Sequence, residues 1–204
     1  MALPEQYLRA TVEEYLQHER ESPERCEYLN GQIYQMAGES YEHSTINANT
    51  TTSLGLALRG RPCRVLSPNM KIRTSRNGLF SYPDAAVVCG EAQFHDNPRD
   101  IITNPTLIAE VLSPSTENYD RAGKFFRYQQ IESLTDYLLI AQEEPRFEHF
   151  TRQPNGQWLY ALTRGLNANI YIASLDCELK LREIYDRIEF PEILEEAAAP
   201  LPEN

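Results

Sequence analysis

Glu110 stands inside Leu107-Ile-Ala-Glu-Val-Leu112, a short apolar run of the kind that forms a buried β-strand. An ionised carboxylate removed from water is costly unless a cation, a proton or a set of hydrogen bonds compensates it, so Glu110 needs a partner. A strand and a loop earlier, Tyr82-Pro83-Asp84-Ala-Ala-Val-Val-Cys89 places a second carboxylate at the mouth of another apolar strand, directly after a proline. Two acids at the ends of neighbouring strands form a candidate divalent-metal site, and hard oxygen ligands suit a hard cation.

The elements that must position these acids are legible from local pattern. Thr11-Val-Glu-Glu14 fits a capping box and opens a helix to about His18, with Val12, Tyr15 and Leu16 inward, as a structural lid. Asn30-Gly31 between apolar alternations in Tyr28–Met36 predicts a β-hairpin. Ile46, Thr50, Leu54 and Leu58 recur at helical spacing and predict a long helix from His43 to Arg59. Cys63–Leu66, Met70–Thr74, the Asp84 strand and the Glu110 strand follow, with an irregular stretch from Gly90 to Pro105 before the last. Ser113-Pro114-Ser115-Thr116 ends the Glu110 strand and supplies N-cap hydroxyls, and Tyr119, Gly123, Phe126 and Gln130 mark one face of a second helix to about Ile131. Asp136–Ala141 reads as a buried strand, and 146–150 with 157–162 as a terminal hairpin around Pro154-Asn155-Gly156. The expected fold is α/β, one domain over residues 1–190 with a flexible acidic tail at 191–204.

Charge and composition bound the partners. The formal charge is −11, but residues 1–27 carry seven acids against three bases and residues 176–204 nine against three, so the tails hold nearly all of it. In the middle, Arg59, Arg61, Arg64, Lys71, Arg73 and Arg76 form an acid-free stretch, and Arg121, Lys124 and Arg127 share a later helix. This is either a phosphate track or a solvated basic face balanced by acidic tails. No apolar stretch approaches the length of a bilayer span, and the N-terminus lacks the n- and h-regions of a signal peptide, so a soluble cytoplasmic protein is expected. Cys26, Cys63, Cys89 and Cys177 are far apart without a C-x-x-C pair and are expected to be reduced core thiols rather than a zinc site or a disulfide framework.

A helix, three strands, a helix and a strand, with acids on the second and third strands, resemble the αβββαβ core of the PD-(D/E)XK nuclease superfamily. More specifically, Glu27-Tyr-Leu-Asn-Gly31, Tyr82-Pro-Asp-Ala-Ala-Val-Val-Cys-Gly90, Glu110-Val-Leu-Ser-Pro-Ser-Thr116 and Asp120-Arg-Ala-Gly-Lys124 are similar to a large bacterial family of "putative restriction endonucleases" of uncertain substrate, from about Thr11 to about Phe190. The resemblance implies a restriction-endonuclease-like fold and a metal-dependent endonuclease cutting phosphodiester bonds in nucleic acid, above all DNA. It also implies Mg²⁺ or Mn²⁺ held by Asp84, Glu110 and the carbonyl of Val111.

The chain departs from the superfamily pattern in one place. The lysine that belongs two residues after the second acid is Leu112 here, and Lys124, one turn after Asp120, is the expected substitute; Lys71, projecting from the first core strand, is the alternative. Further cleft candidates are Glu27, Glu42, His43 and Asp120. Each residue also has a plain structural role available. Asp84 would cap the turn after Pro83, Lys124 would pair with Asp120 across a helical turn, Glu42 would answer the helix dipole, and Ser113 and Ser115 would cap rather than act as nucleophiles. A homodimer would present two sites to the two strands of a duplex. The competing readings are a nuclease-like interaction or nucleic-acid-binding module without turnover, and a hydrolase of small phosphodiesters.

Overall fold

The structure is a computed structural model that describes residues 6–7, 9–74, 78–114 and 116–190. The expected acidic tail, Arg76 and Ser115 lie outside the described residues. The elements in chain order are β1 (Gln6–Tyr7), α1 (Val12–Glu21), β2 (Cys26–Leu29), β3 (Gln32–Gln35), α2 (Tyr41–Ala57), β4 (Cys63–Leu66), β5 (Lys71–Arg73), β6 (Phe80–Ser81), β7 (Ala85–Cys89), β8 (Ile101–Ile102) and β9 (Leu107–Leu112). A helix, α3, follows, beginning as a π-helical segment (Tyr119–Lys124) and continuing as an α-turn (Phe125–Tyr128). The chain then forms β10 (Asp136–Ala141), β11 (Arg146–Arg152), β12 (Trp158–Arg164), β13 (Asn169–Ile172), β14 (Cys177–Lys180) and α4 (Leu181–Ile184).

Local chemistry accounts for the element ends. Thr11 Oγ1 accepts from the Glu14 amide at 3.2 Å while Glu14 Oε2 accepts from the Thr11 amide at 2.8 Å, a complete capping box, and α1 runs to Glu21, beyond the expected His18. Asn30 (φ 50°) and Gly31 (φ 89°) take the two left-handed positions of the β2–β3 hairpin, which suits Asn-Gly. Ser40 Oγ accepts from the His43 amide at 3.1 Å, so α2 starts at Tyr41, before the expected His43.

Two sheets organise the molecule. The larger runs β12-β11-β10-β9-β7-β4, with β9 and β10 parallel and the remaining neighbours antiparallel. The smaller runs β1-β3-β2-β6-β5-β8. Both β9 and β10 are buried throughout, as parallel strands covered on both faces must be. Alternation sorts their side chains. Leu107, Ala109 and Val111 join Ile46 and Leu54 of α2 on one face, while Ile108 and Leu112 join Tyr128, Ile131 and Tyr137 on the other. Glu110 therefore faces α3 and the smaller sheet. Tyr15 and Leu16 of α1 cover Cys26, Tyr28, Phe80 and Ile101 of that smaller sheet.

Four expectations need correction. The segment around Lys71 is not the first core strand: β4 is, and β5 belongs to the smaller sheet, paired with β6 and β8. The inward face of α3 is Asp120, Lys124 and Tyr128 rather than the stripe through Phe126, which is 64% exposed; an apolar stripe misled because the buried residues here carry polar groups. The chain after β12 forms a β13–β14 hairpin and α4, whose Ile172, Leu179, Leu181 and Ile184 close the core over α2. Cys63 and Cys89 are disulfide-bonded, because β4 and β7 bring them opposite each other with Cα atoms 4.0 Å apart; Cys26 and Cys177 remain buried free thiols. Among the described residues no helix is long and apolar enough to cross a membrane.

Candidate active site

The pleat of β9 aims Glu110, 3% exposed, at α3. Its Oε1 accepts from Tyr128 Oη at 3.0 Å and lies 3.3 Å from Lys124 Nζ. Ser81 Oγ, 2.8 Å from Tyr128 Oη, is left to donate to the tyrosine oxygen. Lys124 Nζ is also 3.5 Å from Glu27 Oε1 and 3.3 Å from Asp120 Oδ1, so one ammonium serves three carboxylates from β2, β9 and α3. The 120, 124, 128 spacing puts Asp120, Lys124 and Tyr128 on one side of α3. Gly123 lets the Tyr119 ring lie close, since a Cβ would stand 2.6 Å from it and displace it.

Asp84 enters from the neighbouring strand, just before β7. Ala85 lies opposite Ala109 in the β7–β9 ladder, which carries Asp84 to the Glu110 position, and Asp84 Oδ2 accepts from the Val111 amide at 2.7 Å. Its Oδ1 is 3.0 Å from His43 Nε2 and 3.4 Å from Asn47 Nδ2, both on α2, and Glu39 Oε2 is 3.7 Å from the same histidine nitrogen. The two oxygens of Asp84 thus tie β9 to the first two turns of α2.

The electrostatics follow from burial and from three acids around one ammonium, with Asp84 beyond them. Burial raises the pKa of Glu110 well above the ordinary carboxylate value; Lys124 opposes this, while Asp120, Asp84 and Glu27 add to it. Burial alone would lower Lys124, but Glu110, Glu27 and Asp120 more than offset it and hold the ammonium charged. For His43, burial again lowers, yet the hydrogen bond and charge of Asp84, with Glu39 behind it, leave the imidazole pKa raised.

The structure brings together Asp84, Glu110, Lys124, Asp120, Glu27 and His43, with the Val111 backbone against Asp84. It does not bring Glu42, which is exposed on the first turn of α2. Residues 43 and 47 share one side of that helix, Glu39 reaches the same side from just before the Ser40 cap, and position 42 is rotated away by about 100° from 43. Lys71 is also apart. It is 2% exposed in the smaller sheet, ion-paired with Glu19 and flanked by the rings of Tyr15 and Tyr82. Glu39, Asn47 and Tyr128 were not anticipated, although the fourfold spacings 39-43-47 and 120-124-128 were available in the sequence to find them.

The residues present fit a divalent cation. Four carboxylates outnumber the single buried ammonium, and Asp120 Oδ1 has the lysine nearby without hydrogen-bond geometry.

The basic stretch does not form one track. Arg61 donates to the Leu175 carbonyl, Arg64 approaches the Gly90 carbonyl at 3.5 Å, and Arg73 of the smaller sheet meets His95. On α3, Arg121 pairs with Glu117 and Glu148, and Arg127 donates to the Gly123 carbonyl.

The chain is similar to several known proteins. Two uncharacterised proteins of Synechocystis sp. are similar, one 37% identical over 160 residues (78% of this chain, 90% of the relative) and one 39% identical over 156 residues (74% and 78%). A crystal structure of "a putative nuclease belonging to DUF820" from Anabaena variabilis superposes with a TM-score of 0.71 at 16% identity, over 86% of this chain and 97% of that one. The shared fold is restriction-endonuclease-like. Residues 12–181 match the model of the family named Uma2 and described as "Putative restriction endonuclease", and this chain belongs to that family.

Proposed function

We propose that the protein is a divalent-metal-dependent endonuclease that hydrolyses phosphodiester bonds in nucleic acid, with DNA as the first substrate to test. The observation that carries this reading is the burial of Lys124 against Glu110, Glu27 and Asp120 beside Asp84, an arrangement too acidic for a simple structural ion pair. Mg²⁺ or Mn²⁺ held by Asp84, Glu110 and the Val111 carbonyl supplies Lewis-acid charge to a phosphoryl group. Lys124 replaces the strand lysine and presents positive charge where negative charge develops on the phosphoryl oxygens. Glu27 and Asp120 hold its ammonium in place, and Tyr128 fixes Glu110. Two copies would supply one site for each strand of a duplex, in the cytoplasm where such a substrate lies.

Calorimetric titration of Mn²⁺ into the wild type and Asp84→Asn tests the reading. Binding that disappears in the variant, with cleavage of DNA or RNA that stops in chelator, supports it; cleavage that persists in chelator overturns it.

The dispersal of arginines over both sheets favours a second substrate class, small phosphodiesters, within the same chemistry. A polymer substrate predicts affinity that falls steeply with added salt, whereas activity on a small diester is indifferent to it.

A further inference from the structure

A sheet ends in strands whose outer backbone groups need a partner or water, and a long, exposed, apolar edge is a template for another chain. The edges of this protein are unequal. The smaller sheet ends in β1 and β8, of two residues each, the β13–β14 hairpin has strands of four, and the larger sheet ends on one side in β4, four residues that carry Arg64. At its other end is β12, seven residues whose ladder to β11 runs unbroken from Trp158 opposite Arg152 to Arg164 opposite Arg146, without proline, lysine or bulge. Among the described residues no strand pairs with its outer side.

Apolar side chains stand on both faces of β12. Leu159 and Ala161 share the face of Phe147, toward α2, and Tyr160 and Leu162 share the face of Phe150, toward α3. Leu159 is 59% exposed, Tyr160 49% and Leu162 41%, with Ala161 exposed between them. A solvated face of an antiparallel sheet is ordinarily polar, whereas here both are open and apolar. The single charge in the element is Arg164, at its end.

Backbone parity decides what fits this edge. The Gln157 carbonyl accepts from the Gln153 amide and the Gly165 amide donates to the Pro145 carbonyl, so odd-numbered residues bond β11 and the N–H and C=O groups of Trp158, Tyr160, Leu162 and Arg164 turn outward. A two-fold axis at Ala161 sets a second copy of β12 antiparallel with even residues opposite even: Tyr160 meets Leu162 and Trp158 meets Arg164, twice each. Each arginine then faces an indole, and the two arginines lie at opposite ends of the ladder, roughly 20 Å apart. Axes at Tyr160 or Leu162 keep the parity but shorten the ladder, and axes between residues set outward groups against inward ones. We propose that β12 is the contact by which two copies of this chain associate, edge to edge and antiparallel about Ala161, joining two six-stranded sheets into one. The proposal deepens the two-copy part of the reading above and rests on that part alone, because the acidic cluster and Lys124 come from other elements and are complete in each copy.

The test uses the full chain. Sedimentation of the wild type is expected to show a concentration-dependent dimer. Ala161→Glu and Ala161→Lys each set like charges across the axis and should weaken association by at least about 10-fold, and mixing the two variants should restore it as a mixed dimer. Misfolding cannot produce rescue by mixing. Amide hydrogen exchange on the wild type needs no variant. The amides of Tyr160 and Leu162 should be protected in the dimer and lose protection on dilution, while those of Ala161 and Thr163, bonded to β11, stay protected throughout.

A wild type that sediments as a monomer at every concentration overturns the proposal, as does a dimer that both variants leave intact or that mixing fails to restore. Protection of the Tyr160 and Leu162 amides in a monomer means that a segment of the same chain covers the edge, and overturns it too. The two readings fail separately. A monomeric wild type leaves metal-dependent cleavage untouched, whereas cleavage that persists in chelator removes the metal chemistry and leaves the β12 contact standing.

Discussion

Glu110 and Lys124 are each the principal electrostatic neighbour of the other, but their deletions should behave differently. Lys124→Met removes the ammonium closest to Glu110 and is expected to lower kcat on the order of 10²- to 10³-fold, the usual cost of losing one charge stabiliser of the transition state. Steady-state cleavage by folded protein measures this, and an unchanged kcat would remove Lys124 from the chemistry. Glu110→Gln acts on stability as well. The folded pKa of Glu110 is raised above its ordinary value of 4.5, so its contribution to stability is full below that value and is lost as pH rises through the folded pKa. In chelator, the variant should therefore match the wild type below about pH 4.5 and become relatively more stable as pH increases. Paired thermal melts across this range check the sign; a variant that is less stable at neutral pH would make Glu110 a structural carboxylate.

At the scale of elements, β5 and α3 offer the site two different lysines, and a single substitution separates them. Lys71 and Glu19 form a buried pair between the smaller sheet and α1. Lys71→Met leaves Glu19 buried with the Tyr82 hydroxyl but no cation, and should cost about 3–5 kcal/mol of stability. Cleavage per folded molecule should persist. Denaturant melts together with activity normalised to folded protein test this, and loss of activity without loss of stability would return Lys71 to the active site. The π segment of α3 explains why the element was harder to read than α2. Its inward residues are Asp120 and Lys124, which a search for apolar periodicity passes over, and its most prominent aromatic, Phe126, points outward. In α2 the buried Ile46, Thr50 and Leu54 keep a simple fourfold spacing, and that helix was legible at once.

For the whole molecule, the Cys63–Cys89 bond links the edge strand of the larger sheet to the strand that begins at Ala85, next to Asp84. A bond closing 26 residues of chain is expected to stabilise by about 3 kcal/mol through the entropy of the unfolded state. Thiol titration in denaturant should give two thiols per chain before reduction and four after it, and reduction should lower Tm. Four thiols in the untreated protein would contradict the bond. At this scale the acidic tails matter as well. Their charge accounts for most of the formal −11, while Arg61, Arg64 and Arg121 of the central body face carbonyls and carboxylates within the fold.

The amino-acid sequence by itself determined what depends on near neighbours: the capping box at Thr11, the Asn30-Gly31 turn, the period of α2, and the acids Asp84 at a strand mouth and Glu110 within a buried strand. It also contained the αβββαβ order, and with it the restriction-endonuclease-like fold of the family. Tertiary structure alone decided which charges meet. Glu27, Glu39 and His43 reach Asp84 and Lys124 only because β2, α2, β7 and α3 converge from segments far apart in the chain. Strand order also separates Lys71 from Glu110 by assigning β5 to another sheet, and the β4–β7 register pairs Cys63 with Cys89. Periodicity reports the face a residue presents within its own element, whereas the distance between two such faces is set by sheet order and register, which no local pattern encodes.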